Sequence, residues 1–455
     1  MFRKTNFLLL ALLLTTVLAS LTASAQDKPN IVMIISDDQA WNDYSFMGHE
    51  QIQTPNLDAL AKQSVVFKRG YVPTALCRPS LMTLITGRYA SQHGVTGNDP
   101  SFKYAKKGSD KHNAQRAQLI SYVDKFDTVP KKLVEQGYVC HQSGKWWEGN
   151  FKRGGFTAGM TRGFPEQGGR HGDDGLKIGR DGMAPVTRFI DEATDAGKPF
   201  FIWYAPFLPH TPHNPPERLF EKYSAMGLTK TVAKYYAMCE WFDETCGELV
   251  QHIDDKKIRE NTLIVYVTDN GWIQDPEKNG YAPRSKQTPY EGGIRTPIMY
   301  SWPKTITPSD RPELSTSLDL VPTMLAAAGV DAPKDLPGLN LLPHLKSGDA
   351  IKREAIFGES FAHDIADIED PNKSLLFRWC IKGKWKLLLT YDGEVNRYKT
   401  THPRTEKRPQ LFDLLADPAE EKNLAADNPE VVAELVKRID DWYPVQDREV
   451  MKVFK

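Results

Sequence analysis

The chain has no excess charge of either sign. Its 455 residues carry 58 Lys+Arg and 58 Asp+Glu. A balanced chain has no global field to draw it to nucleic acid, so any anion site must be local. Histidine is scarce, at 11 residues. Cysteine is scarcer: Cys77, Cys140, Cys239, Cys246 and Cys380. None stands in a C-x-x-C or zinc-finger spacing, which argues against a zinc ribbon or a dithiol redox motif. An odd count leaves at least one thiol without an internal partner. Cys239 and Cys246 fall on one predicted helix, about 10 Å apart along its axis, too far for a disulfide. These two, and Cys140 at the end of "GYVC", are expected in the core.

Long apolar runs are missing too, except at the N-terminus. There, Arg3 and Lys4 precede an apolar stretch from Phe7 to Leu21, and Ala23-Ser24-Ala25 follows. That pattern predicts a signal peptide over 1–25 and an exported product, periplasmic or secreted, without a membrane span. No cysteine follows the cut to carry a lipid anchor.

What remains is ordinary globular composition, 40% hydrophobic and 10% aromatic. "PNIVMIISDD" (29–38), "KPFFIWYAPFLPH" (198–210) and "NTLIVYVTDNG" (261–271) read as continuous apolar strands. "TPNLDALAKQSVVF" opens a helix, with Thr54 as N-cap and Pro55 at the first position. Strands of this kind alternating with helices predict an α/β fold, a large mixed, mostly parallel sheet flanked by helices on both faces. Residues 149–182 hold 11 glycines among several cations and read as a long loop, functional or simply solvated. After about Ile351, "EAIFGES", "LLFRWCIKGKWKLLLTY" and "PQLFDL" predict antiparallel strands, closed by the helix "NPEVVAELVKRIDDWY". The expected division is a catalytic domain over 26–348 and a C-terminal α+β subdomain over 349–455.

Ligands in a doubly wound sheet gather at the carboxyl ends of the strands. Two strands here end in hard oxygen donors, Asp37-Asp38 and Asp269-Asn270. Carboxylates with an amide carbonyl suit Ca²⁺, or less well Mg²⁺, rather than Zn²⁺. Either pair alone could equally cap a turn. In "TALCRPSLMTLITGRY" (74–89), Cys77 stands just before a predicted helix start, beside Arg78 and Pro79. The backbone N–H groups of the first turn would face it, and a thiol there is expected to be acidified.

Together these segments resemble the type I, formylglycine-dependent sulfatases of the alkaline-phosphatase-like superfamily. The family signature begins Cys-x-Pro-Ser-Arg and runs to Thr-Gly-Arg; "CRPS" and "TGR" (Thr86-Gly87-Arg88) keep that spacing. "SGKW" (143–146), "LPHTP" (208–212), "KQTPYEGGIRTP" (286–297) and "LFDLLADPAEEKNLA" (411–425) resemble further family segments in the family order. The resemblance implies that a maturation enzyme oxidises Cys77 to formylglycine, an aldehyde. One hydroxyl of its hydrate would attack sulfur, and the other would release sulfate afterwards. It further implies a calcium site of Asp37, Asp38, Cys77, Asp269 and Asn270, with Lys145 and Lys286 on the sulfate and His210, rather than His213, as acid to the leaving alcohol. Glu291 and Arg295 are expected to brace the fold.

Two positions depart from the pattern. Leu81 replaces the signature arginine, and Trp147 stands where the family has the histidine of Lys-x-His. Arg78 could supply the missing cation. His171, in the glycine-rich loop, His93 and His141 are the candidate substitutes for the histidine, and the sequence does not choose between them; His93 reads equally as a structural histidine. Arg78, His171 and Arg170 are therefore candidate substrate contacts. The reading is a sulfatase acting on a sulfate ester, with a carbohydrate as the expected substrate and the basic stretch 102–116 available to a polyanionic glycan. A phosphate-ester hydrolase of the same superfamily and a non-catalytic binder of sulfated glycans are the alternatives.

Overall fold

The computed structural model describes residues 28–391 and 408–445, apart from 104, 167, 168 and 170. The predicted signal peptide lies outside the described residues. In chain order the strands are β1 (Asn30–Ser36), β2 (Val65–Tyr71), β3 (Asp99–Pro100), β4 (Val139–Gly144), β5 (Ala158–Gly159), β6 (Phe200–Ala205), β7 (Thr262–Thr268) and β8 (Arg295–Ser301). There follow β9 (Ser309–Arg311), β10 (Ser315–Thr316), β11 (Ile356–Phe361), β12 (Asp364–Ile365), β13 (Leu375–Lys382), β14 (Trp385–Thr390) and β15 (Gln410–Asp413).

The main sheet runs β10-β2-β8-β7-β1-β6-β4-β5, with β9 also paired to β2. Every neighbour pair is parallel except those of β8, which is antiparallel to both β2 and β7. The apolar strands explain the layering. On β1, Ile31, Met33 and Ile35 enter one core and Val32 and Ile34 the other, so both faces are sealed by helices. Cys140, Cys239 and Cys246 are buried as expected, and all five cysteines are free thiols. The C-terminal strands β11-β13-β14-β15 form the expected antiparallel sheet, packed against the helix Pro429–Trp442. A two-stranded ladder of β3 and β12 ties this region back to the main body. Within the glycine-rich segment 149–182, β5 extends the sheet edge, flanked by one-turn helices at Phe151–Gly154 and Asp173–Lys177.

Four adjacent parallel strands, β4, β6, β1 and β7, end at one edge of the sheet, and antiparallel β8 begins there. That edge collects the chemistry. No helix of the described residues is long and apolar enough to cross a membrane.

Candidate active site

Most of the functional side chains stand at or just beyond strand ends. Asp37 and Asp38 leave β1, and Asp269 and Asn270 leave β7. The two ends are held in register by Asp269 N–H to the Ser36 carbonyl (2.9 Å) and Gln39 N–H to the Asn270 carbonyl (3.2 Å). Lys145 leaves β4, its N–H bonded to the Ala205 carbonyl at 2.7 Å. Gly144 makes that turn possible: its φ is +83°, and a Cβ would meet the Ala205 oxygen at 1.8 Å. His210 follows β6, in a loop whose Phe207 and His210 carbonyls accept from Arg180. Lys286 comes from the loop before the short helix Glu291–Ile294 that opens β8. Asp38 itself has φ +65°, a left-handed conformation that non-glycine residues adopt at a cost and that often marks functional sites.

The resulting cluster is buried and densely charged. Lys145 Nζ lies 2.7 Å from Asp37 Oδ1 and 3.9 Å from Asp269 Oδ2. Lys286 Nζ lies 2.6 Å from both Asp38 oxygens. Asn270 Nδ2 donates to Asp38 Oδ1 at 2.7 Å, and Asp38 N–H donates to Asp269 Oδ1 at 3.1 Å. His210 Nε2 stands 3.3 Å from Asp38 Oδ2, and its Nδ1 faces the Thr211 carbonyl at 2.6 Å. Cys77 Sγ is 4.0 Å from Asp38 Oδ1. Ligand atoms of Asp37, Asp38, Cys77 and His210 all lie within 4.8 Å of one another. Three further observations bear on a cation. Asp37 Oδ2, Asp269 Oδ2 and Asn270 Oδ1 are buried oxygens without a hydrogen-bond partner. Oxygens left over in such a place fit a hard divalent ion well.

Burial sets the titration of the groups. It pushes Asp37 well above the carboxylate range, opposed by Lys145. Burial alone would depress both lysines, but Asp37 beside Lys145 and Asp38 beside Lys286 outweigh it and hold both ammonium groups charged. Burial, then Lys145 and Lys286, drive His210 well below its ordinary value.

Cys77 corrects the sequence expectation twice. It is the first residue of the helix Cys77–Thr86, not a residue ahead of it, and Ser80 N–H is already bonded to the Leu76 carbonyl. Its thiol is not acidified: at 2% exposure, desolvation pushes it up to about 11, although Lys145 and Lys286 pull the other way.

Arg78 is also placed differently from expectation. Its guanidinium is buried and forked onto Glu148, Nε to Oε1 and Nη2 to Oε2 both at 2.7 Å, with Nη1 on the Asn98 carbonyl. Fully occupied there, it acts as a clamp between the Cys77 helix and the loop carrying Lys145. Leu81 is an apolar core residue. Trp147 lies over Arg78 at 5.9 Å and meets the ring of His171 edge-on at 5.1 Å. His171 in turn contacts Phe207, which stacks on His210 at 4.2 Å. His171 therefore borders the site, through an aromatic wall. His93 is engaged with Val95 N–H and Thr83, and His141 packs on Phe189; both serve the core. Arg170 lies outside the described residues. Glu291 receives Tyr71 and Lys386 and lies 3.5 Å from Arg295, the bracing role expected. Sequence reasoning missed Glu148, Arg180 and Phe207. Only Glu148 left a trace, as an acid three residues after Lys145.

Residues 29–330 match the family described as Sulfatase, and residues 282–443 match the one described as N-sulphoglucosamine sulphohydrolase, C-terminal. The human N-acetylgalactosamine-6-sulfatase is 29% identical, covering 74% of this chain and 69% of that protein. An N-acetylgalactosamine-6-O-sulfatase of Bacteroides thetaiotaomicron is 26% identical, covering 91% of this chain and 93% of that protein. Among solved structures, that of Ps i-CgsB superposes with a TM-score of 0.71 at 25% identity, over 92% of this chain and 94% of that one.

Proposed function

The chain belongs to the formylglycine-dependent sulfatase family of the alkaline-phosphatase-like superfamily and is a sulfuric-ester hydrolase, and we propose that it removes sulfate from a carbohydrate, using residue 77 as nucleophile and a calcium ion. The carbohydrate is supported by relatives whose names specify N-acetylgalactosamine 6-sulfate chemistry. The observation that carries the site assignment is the set of three unpartnered oxygens on Asp37, Asp269 and Asn270 beside Cys77 and two buried lysines.

Asp37, Asp38, Asp269, Asn270 and residue 77 would hold the ion, which supplies a fixed dication against the developing negative charge. Conversion of Cys77 to formylglycine would replace a thiol of high pKa by a hydrated aldehyde, a nucleophile with a second hydroxyl in reserve. The rest falls to the chain. Lys145 and Lys286 would neutralise the sulfate oxygens; both are already charged and buried, and each would share its ammonium between the substrate and the carboxylate it now holds, Asp37 or Asp38. His210 gives a proton to the departing alcohol from Nε2, while its Nδ1–H is anchored on the Thr211 carbonyl. Burial first, and then the two lysines, keep this imidazole neutral; an anion between the lysines offsets the second of these and so favours the proton in the substrate complex. The rings of Trp147 and Phe207 form one wall of the site beside His210. Export, a maturation enzyme acting on Cys77, and a division near 348 complete the proposal.

The test is paired. Mass spectrometry of the Cys77 peptide from its native producer should show conversion to the aldehyde. The same protein should release sulfate, not phosphate, from matched aryl esters, and Cys77→Ala should abolish it. An unmodified thiol with full activity overturns the assignment.

A further inference from the structure

A second cationic cavity lies one loop further out. It encloses about 170 Å³ and is lined by His213, Lys230, Thr231, Lys234 and Asn279. Among the described residues no carboxylate lines it and neither Lys230 nor Lys234 forms an ion pair, although Lys234 Nζ lies 5.8 Å from the Phe220 ring. Its floor is His213, only 7% exposed, whose two ring nitrogens both lack a hydrogen-bond partner. A buried imidazole with neither nitrogen satisfied is costly unless a ligand completes it. Lys230 and Thr231 open the 26-residue helix Lys230–Asp255, whose N-terminus adds partial positive charge at the same wall.

The cavity is continuous with the catalytic elements. His213 follows His210 by three residues, in the loop after β6, and Asn279 stands in the loop after β7. The His213 ring packs on Tyr235 at 5.4 Å and Trp272 at 5.9 Å. Trp272 in turn lies 5.6 Å from Lys286 Nζ, and Tyr235 OH donates to the Asp38 carbonyl. Lys234 is within electrostatic reach of His213.

We propose that this cavity is an anion subsite for a second oxyanion of the substrate, a sulfate or a carboxylate on the sugar next to the one being desulfated. The inference rests on the sulfatase reading above for its substrate, but the cavity's affinity for oxyanions stands apart from turnover. The subsite would make the enzyme favour densely charged glycans over isolated sulfated sugars, through binding rather than through the chemical step.

Two measurements test it. Kinetics compare a monosulfated monosaccharide with two disaccharides of it, one bearing a second sulfate and one a uronate. In Lys230→Ala/Lys234→Ala, KM for at least one disaccharide should rise about tenfold, while kcat and the monosaccharide constants stay within about twofold. The disaccharide that responds identifies the anion. Equal changes on all three substrates overturn the proposal. Separately, the ring NMR signals of His213 in the full Cys77→Ala chain should move on titration with inorganic sulfate, and the double variant should lose that response. Unmoved signals overturn the subsite even if the enzyme is active. Moved signals without any ester hydrolysis leave the subsite standing and defeat the sulfatase assignment.

Discussion

His210 is where the chemistry of a single side chain is most exposed to measurement. Its Nε2 stands 3.3 Å from Asp38 and its Nδ1 is committed to a backbone carbonyl. If it protonates the leaving alcohol, His210→Ala should cost about 10²- to 10⁴-fold in kcat on a sugar sulfate. The loss should shrink sharply on an aryl sulfate, whose phenolate departs without help. Equal losses on both would leave His210 as a binding residue. Asp37-Asp38 and Asp269-Asn270 were legible in the sequence because a continuous apolar run that stops at Asp marks its own carboxyl end, whereas Lys145, Lys286 and His210 were legible only through the family resemblance. Glu148 was not legible as a partner of Arg78: the two are 70 positions apart, and nothing in either neighbourhood announces the pairing. The thiol's titration was misread for a related reason. The helix dipole and two cations could be inferred from the chain, but the near-complete burial that outweighs them is a tertiary fact.

Between elements, ion pairs in the interior do the aligning. The Arg78–Glu148 fork joins the Cys77 helix to the Lys145 loop. Glu148→Ala leaves a buried guanidinium uncompensated and should destabilise by about 3–5 kcal/mol in denaturant titration. The Arg78→Met/Glu148→Met pair should recover much of that stability yet remain slow, because the alignment is gone. A pH effect is expected where β11 meets the helix Ala90–His93. Glu359 there accepts from Ser91 N–H at 2.6 Å, and burial raises its carboxyl to about 7. The folded state thus holds a proton that the unfolded chain releases above about 4.5. Its contribution is full below that value and is lost as pH rises through about 7. Glu359→Gln should therefore flatten the fall in stability between pH 4.5 and 7, a difference on the order of 3 kcal/mol in melts at pH 5 and pH 8.

Across the whole molecule, the site is assembled from segments that span most of the chain. Lys386 on β14 is buried between Glu291 and Glu420, at 3.1 and 2.8 Å, so the C-terminal sheet steadies the loop that presents Lys286. A cation bound only by the folded arrangement should stabilise everything at once. At a hundredfold excess over its dissociation constant, calcium should add about 2.7 kcal/mol, read as a rise in melting temperature that chelation reverses and Asp37→Asn removes. The layered architecture was legible from alternating apolar strands and helices. The reversed direction of β8 was not, since a strand buried on both faces reads the same whichever way it runs.

The enclosure of Cys77 also sets a clock. Once β2 and the helix after it have docked, no catalyst the size of a protein can reach that sulfur. An enzyme that oxidises the residue would have to act before tertiary structure shuts it in. A molecule that folded first would keep its thiol, and the ratio of the two forms would then record how the rates of folding and of processing compare in the producing cell.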